Sequence, residues 1–308
     1  MNFIFNTIKT MYRRQFIQNS LLSLGVVSFR KSEILKVMQN APWKITMLTD
    51  DIGIFTEKGG TIAFHYNKDG ITVIDAQFPD SAVHLINELK RIKGYPFRLL
   101  INTHHHGDHT SGNISFKGVT GQVLAHKNSL MNQQRVAKQN NKEDQQYYPN
   151  QTFEKEHSED IGNEKVRLYY YGAGHTNGDA LIHFTNANIV HVGDLVFNRR
   201  HPFIDRSAGA SIKSWISVLD TAIKKFDNKT LYVCGHSGES YDVKGSKDML
   251  LAFRDYLGNL LHFVDGEIKK GKPKEEILKN TEIPGSPDWK GEGIERPLTA
   301  AYEELANS

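Results

Sequence analysis

A single cysteine, Cys234, stands in the 308 residues. One thiol cannot close an intrachain disulfide, and it excludes any zinc module built on paired cysteines. No apolar run reaches the roughly eighteen residues of an ordinary spanning helix, so no transmembrane anchor is expected. No short tandem repeat and no low-complexity tract is present. Neither charge sign dominates: 38 Lys and Arg face 35 Asp and Glu, a formal net charge of +3. Hydrophobic residues at 39% supply a sizeable core, which excludes disordered and fibrous classes.

The positive charge is local. Residues 1–40 hold Lys9, Arg13, Arg14, Arg30, Lys31 and Lys36 against Glu33, a balance of +5 that leaves −2 for the rest. The segment Tyr12-Arg13-Arg14-Gln15-Phe16-Ile17-Gln18, followed by the apolar stretch Leu21 to Phe29, resembles a twin-arginine export signal. Residues 1–40 are therefore expected to be a targeting segment and linker, sending a prefolded chain to the periplasm or beyond. The absence of a nearby cysteine excludes a lipid-anchored lipoprotein. A remainder at −2 argues against nucleic acid as a partner, which calls for a basic surface.

From residue 45 short strands alternate with turn signals such as Gly59-Gly60 and Lys68-Asp69-Gly70. A helical stripe covers 81–90, with Asp80 expected as its N-cap and Gly94 as its stop. Strands are expected at 97–101, 166–171, 180–184, 189–192 and 231–234, helices at 212–226, 247–268 and 298–305, and an exposed helix end plus loop over 132–160. Two strand-and-helix halves predict an α/β chain of two packed sheets with helices outside, with the main domain at 41–245 and a C-terminal helical extension at 246–308 on the same domain. The apolar face of the 247–268 helix reads as core packing, while Trp289 and Tyr302 are placed either in that packing, over the active site or at a homodimer contact.

Four of the fourteen histidines fall in His104-His105-His106-Gly107-Asp108-His109, an H-x-H-x-D-H pattern directly after a strand. In extended chain, residues two apart point the same way, so His104 and His106 can share one metal. Past Gly107 the chain can turn and bring Asp108 and His109 to a neighbouring position. Imidazole nitrogen and carboxylate oxygen suit zinc at about 2.0–2.2 Å. Gly174-His175-Thr176-Asn177-Gly178-Asp179, Gly193-Asp194 and Gly235-His236 repeat the context of strand end, glycine and metal-capable side chain. His105, on the opposite side from His104 and His106, is expected to be an outer neighbour or exposed. Asp179 is expected to shape its loop, and Cys234 to be a small buried hydrophobe.

In combination and order, these motifs resemble the metallo-β-lactamase-fold hydrolase superfamily over roughly residues 45–240. The resemblance implies an αββα sandwich with a metal site at one edge of the two sheets. It implies one zinc held by His104, His106 and His175, a second held by Asp108, His109 and His236, and Asp194 bridging them, with iron or manganese as alternative metals. Asp194 stands where the best-studied zinc β-lactamases carry cysteine, which is more similar to glyoxalase II, lactonases and related esterases. His106 stands where flavo-diiron oxidoreductases carry glutamate, which disfavours that branch.

The expected activity is hydrolysis of an ester, thioester, lactone or lactam by hydroxide activated at the metal pair, with Asp108 orienting it. Two dications, two aspartates and a hydroxide leave +1, which would welcome an anionic small-molecule substrate. Arg199, Arg200, His201 and Arg206, soon after Asp194, are candidate contacts to its carboxylate or phosphate. Other readings are a β-lactamase proper, a mononuclear iron oxidoreductase of the same fold, and a non-catalytic periplasmic relay or binding protein.

Overall fold

The computed structural model describes residues 42–306, and the expected export segment lies outside them. The first sheet runs β1 (Lys44–Met47), β2 (Ile52–Thr56), β3 (Ile62–Asn67), β4 (Gly70–Ile74), β5 (Phe97–Asn102), β6 (Val123–His126) and β7 (Gln151–Phe153), in that spatial order. The second holds β8 (Glu156–Asp160), β9 (Lys165–Tyr169), β10 (Leu181–Phe184), β11 (Ile189–Asn198), β12 (Leu231–Ser237) and β13 (Lys244–Gly245), ordered 13-12-11-10-9-8. Pairing is antiparallel between β2, β3 and β4 and among β8 to β11, and parallel from β4 to β7 and between β11 and β12. Parallel pairs require crossovers. These are made by α1 (Pro79–Ile92), the single turn α2 (Gly107–Thr110) and, between β11 and β12, α4 (Ile212–Lys225), while α3 (Lys127–Gln139) follows β6.

Alternation along the strands sorts the apolar side chains into two layers. Ile74, Leu99 and Ile101 of the first sheet meet Val166, Leu168, Ile182 and Val233 of the second in one buried cluster. The neighbours Tyr169, Leu181, Tyr232 and Cys234 point the other way, into a second cluster under the helices. There Trp215 of α4 meets Phe253, Tyr256 and Leu260 of α5 (Lys247–Lys269) and Leu298 of α7 (Glu295–Ala306); the one-turn α6 (Lys274–Ile277) adds Ile277. This is the αββα sandwich with C-terminal helices. Trp289 stacks on Tyr256 at 4.7 Å between centroids and is buried, so its role is packing. No described helix is long and apolar enough to cross a membrane.

Several expectations change. The polar stretch 132–160 contains β7 and β8, edge strands whose exposed side chains hide the strand pattern. β11 runs on through Gly193 and Asp194 to Asn198 and is buried almost throughout, a central strand covered on both faces. Asp80 does not cap α1: Phe78 is at the N-cap without a side-chain cap, Pro79 starts the helix with its fixed φ, and Asp80 pairs with Lys58.

The long helix α5 carries two glycines, Gly258 and Gly266, around which an added Cβ would meet nothing within 4 Å. Glycine in a helix interior costs about 1 kcal/mol relative to alanine. Gly258→Ala and Gly266→Ala are each expected to raise Tm by about 2–4 °C, measured by calorimetry.

Candidate metal centre

The candidate ligands sit where strands end. His104 and His106 lie just past β5, Asp108 and His109 on α2, His175 between β9 and β10, Asp194 on β11 and His236 on β12. A bulge aims Asp194: Gly193 takes φ +51 where the β11–β12 register slips, and a Cβ there would lie 2.8 Å from Thr103.

The structure brings all seven together. Four sets among the described residues have one ligand atom from each member within 4.8 Å of the others, and three are drawn from these seven: His104, His106 and His175; His104, His109 and Asp194; and Asp108, His109 and His236; the fourth joins His106 to His105 and Asp205. Asp194 faces both groups. Its Oδ1 lies 3.1 Å from His109 Nε2, and its Oδ2 lies 3.4 Å from His236 Nε2, 3.5 Å from His175 Nε2 and 3.9 Å from His104 Nε2.

The outward nitrogens determine the state of the inward ones. His175 Nδ1 lies 2.7 Å from the Phe203 carbonyl, which can only accept, so Nδ1 carries the proton and Nε2 keeps its lone pair. Asp205 Oδ2 does the same for His106 Nε2 at 3.0 Å, leaving Nδ1 free to face inward. Asp75 Oδ2 accepts from His109 Nδ1 at 2.8 Å and from the Thr103 hydroxyl at 2.7 Å. That hydroxyl, its proton spent on Asp75, accepts from His104 Nδ1 at 3.1 Å. Three lone pairs then converge, with His106 Nδ1 at 3.1 Å from His104 Nε2 and 2.7 Å from His175 Nε2. Lone pairs at such separations repel unless a cation lies among them.

Charge points the same way. Burial, followed by the neighbouring histidine His109, holds His104 well below the usual imidazole range. Burial and then His106 bring His175 to about 3. These rings are neutral, as ligation requires. At the other set burial opposes protonation, but Asp194 and Asp108 override it and push His236 up to about 9. His109 is likewise raised, by Asp194 and Asp75 against its burial. Protons there occupy the place of a positive charge that the carboxylates demand. His109 Nε2 and Asp194 Oδ1 are buried without a hydrogen-bond partner. The donor set thus fits divalent cations, and its imidazole and carboxylate chemistry suits zinc.

Two outer groups lie outside the motifs. Asp75, at the end of β4, holds φ +65 and accepts from the Thr103 amide as well. It shares the strand-end context of the other acids, a signal available in the sequence but lacking a neighbouring histidine. Asp205 follows the basic loop and has no motif. It also accepts from Ser207 Oγ and the Ala208 amide. Asp205→Ala is expected to weaken metal affinity about 10–100-fold by freeing the His106 ring, with Asp205→Asn intermediate, as read by competition with a chromophoric chelator.

The remaining candidates separate. His105 is buried rather than exposed, with Nε2 3.6 Å from Asp205 Oδ2. Asp179 accepts from the Thr176 amide and hydroxyl at 2.8 and 2.7 Å and shapes the His175 loop. Cys234 is buried in the helix-side cluster, its thiol pushed up to about 12 by burial. Arg200 and His201 reach a cavity of about 330 Å³ over the centre. Arg199 and Arg206 do not. Arg199 pairs with Asp288 at 3.2 Å and lies over Trp289, and Arg206 pairs with Glu304 at 3.0 Å, so C-terminal acids and an aromatic ring draw them aside. Arg296, at the start of α7, lines the cavity instead.

Residues 61–236 match the sequence model of the metallo-beta-lactamase superfamily. A curated relative from Bacillus cereus, named metallo-beta-lactamase type 2, is 26% identical over 274 residues, covering 78% of this chain and 100% of its own length. A protein of the same name from Elizabethkingia meningoseptica is 24% identical over 202 residues, covering 63% and 78%. Among solved structures, a metallo-beta-lactamase from Pontibacter korlensis superposes with a TM-score of 0.60 at 21% identity, covering 70% of this chain and 99% of that one. At that identity the likeness speaks for the fold.

Proposed function

The chain belongs to the metallo-beta-lactamase superfamily, and on that premise we propose that it is an exported hydrolase with two zinc ions that cleaves an ester, thioester or lactone. The observation that carries this reading is the convergence of two donor sets on Asp194 beneath an open cavity. His104, His106 and His175 would hold one ion, Asp108, His109 and His236 the other, and Asp194 both.

Bound there, divalent ions supply Lewis acidity toward a carbonyl and make water acidic near neutral pH. The chain's own residues do the rest. Asp108 lines the cavity, and although burial disfavours its charge, the contact with His236 holds its carboxyl below the usual range. It is an acceptor at pH 7, placed to orient the attacking water and take its proton. Phe203 walls the cavity and limits water beside the acyl group. In the balanced reaction the acyl carbon gains hydroxyl, the bond to the leaving oxygen or sulfur breaks, and the leaving group takes the proton. Export is supported by the Arg13-Arg14 segment.

A second reading, lactam hydrolysis, is favoured by the names of the two relatives, while an aspartate at 194 in place of the lactamase cysteine favours the other bonds. A panel of thioester, lactone, aryl ester and cephalosporin substrates, with matched metal content, tests the choice. Turnover of the first three groups above the cephalosporin is expected. Rapid cephalosporin turnover with none of the others would overturn it.

A further inference from the structure

His191, on β11, stands in no motif and is not one of the seven candidate ligands, yet it is fully buried with both ring nitrogens bonded. Nε2 lies 2.9 Å from the Thr61 carbonyl, which can only accept, so the ring carries its proton there. Nδ1 then keeps a lone pair, and the Gly193 amide donates to it at 3.1 Å. The two partners thus select the same tautomer. Burial holds the ring below the usual imidazole range, which keeps it neutral and leaves Nδ1 an acceptor.

Each bond leads to the metal centre by a short route. Gly193 is the bulge residue at φ +51 where the β11–β12 register slips, and Asp194 follows it. Thr61, just before β3, opens the other route. Its amide and hydroxyl both donate to the Gly235 carbonyl, at 2.9 and 3.0 Å, and His236 follows Gly235. Gly235 packs so closely on Asp194 that a Cβ there would overlap Oδ1. On the other side of Thr61, the Gly60 amide donates to the Asp108 carbonyl at 3.1 Å. His191 therefore ties the second sheet to the first between the strands that carry Asp194 and His236 and the turn that carries Asp108 and His109.

We propose that His191 is the positioning residue of Asp194: it fixes the Gly193 bulge and so sets how Asp194 reaches the second donor set, Asp108, His109 and His236. One rigid ring presents an acceptor to the bulge and a donor to the opposite sheet, so the bulge cannot relax without breaking a buried hydrogen bond. An apolar side chain would leave the Gly193 amide and the Thr61 carbonyl without this partner. The inference rests on the two-metal reading of the site and assigns its bridging ligand a support.

The test compares His191→Leu, His191→Asn and His191→Gln with the wild type. Asparagine places its side-chain oxygen near the position of Nδ1 and can accept from Gly193. Glutamine places its amide nitrogen near that of Nε2 and can donate to Thr61 only. The two Zn²⁺ affinities are read by competition with a chromophoric chelator, and exchange of the Gly193 amide is followed in the apoprotein. The Kd of the second zinc is expected to rise about 10–100-fold in the leucine and glutamine variants, with the first unchanged. Asparagine should recover most of the loss. The Gly193 amide should exchange faster in the leucine and glutamine variants and stay protected with asparagine. Leu168→Ala, in the buried layer between the sheets, is the control for lost stability alone, and should lower Tm without changing the ratio of the two Kd values. An unchanged ratio in His191→Leu, or equal recovery by asparagine and glutamine, overturns the positioning role. If the leucine variant does not fold, the asparagine and glutamine pair decides by the same criterion. A wild type that binds a single zinc overturns the two-metal reading instead. Gly193 exchange then still decides the bulge, with faster exchange in glutamine than in asparagine upholding the role of His191 and equal exchange refuting it.

Discussion

Asp194→Ala is expected to lower kcat/KM by about a thousandfold or more, at or beyond the upper end of what one preorganised electrostatic group contributes. The carboxylate is buried, and its two oxygens face different donor sets: Oδ1 lies 3.1 Å from His109, and Oδ2 lies 3.4–3.9 Å from His236, His175 and His104. No other described acid faces both. Without it, His109 and His236 lose the buried carboxylate they share, while His104, His106 and His175 keep their outward hydrogen bonds to Thr103, Asp205 and Phe203. The variant should therefore retain about one metal per chain and lose the second. Metal content and steady-state rates on the same preparation check this. A variant with full metal content and wild-type rate would remove Asp194 from the chemistry.

Gly60→Ala is the second change with a large expected effect. A Cβ at residue 60 would lie 2.1 Å from His109 Cε1 and 2.3 Å from its Nε2. The ring cannot swing aside, since it is buried and tied through Nδ1 to Asp75. Backbone motion is also restrained, because the Gly60 amide donates to the Asp108 carbonyl at 3.1 Å and Gln77 donates to the Gly60 carbonyl at 2.6 Å. Overpacking of this kind costs about 1–3 kcal/mol, or a Tm lower by roughly 3–10 °C, and displacement of His109 should weaken the Asp108–His109–His236 set. Gly121→Ala is the control, with nothing within 4 Å of its added Cβ, and should leave both Tm and metal content unchanged. Equal behaviour of the two variants would show that the glycine does not make room for the ring.

The seven histidines and aspartates were legible because each stands in a local pattern: a strand, a turn residue, and a side chain that metals favour. Fold class was legible for a related reason, since strands such as 97–101 and 231–234 and the striped helix 212–226 carry their pattern in adjacent residues. What escaped has no local record. Edge strands β7 and β8 are half solvated, so their composition is that of a loop. Asp205 reaches His106 across ninety-nine positions, and Arg296 enters the cavity from a helix after the last motif. Arg199 and Arg206 show the converse, because Asp288 and Glu304, which draw them away, are visible as partners only once the C-terminal helices have packed.

The central claim is a pair of metal sites sharing Asp194, and direct metal stoichiometry tests it most closely. Apoprotein titrated with Zn²⁺, followed by elemental analysis after gel filtration, is predicted to hold two zinc ions per chain, with His175→Ala and His236→Ala each reduced to about one. One ion in the wild type, a single iron in the protein as isolated, or two ions retained after both substitutions would contradict it.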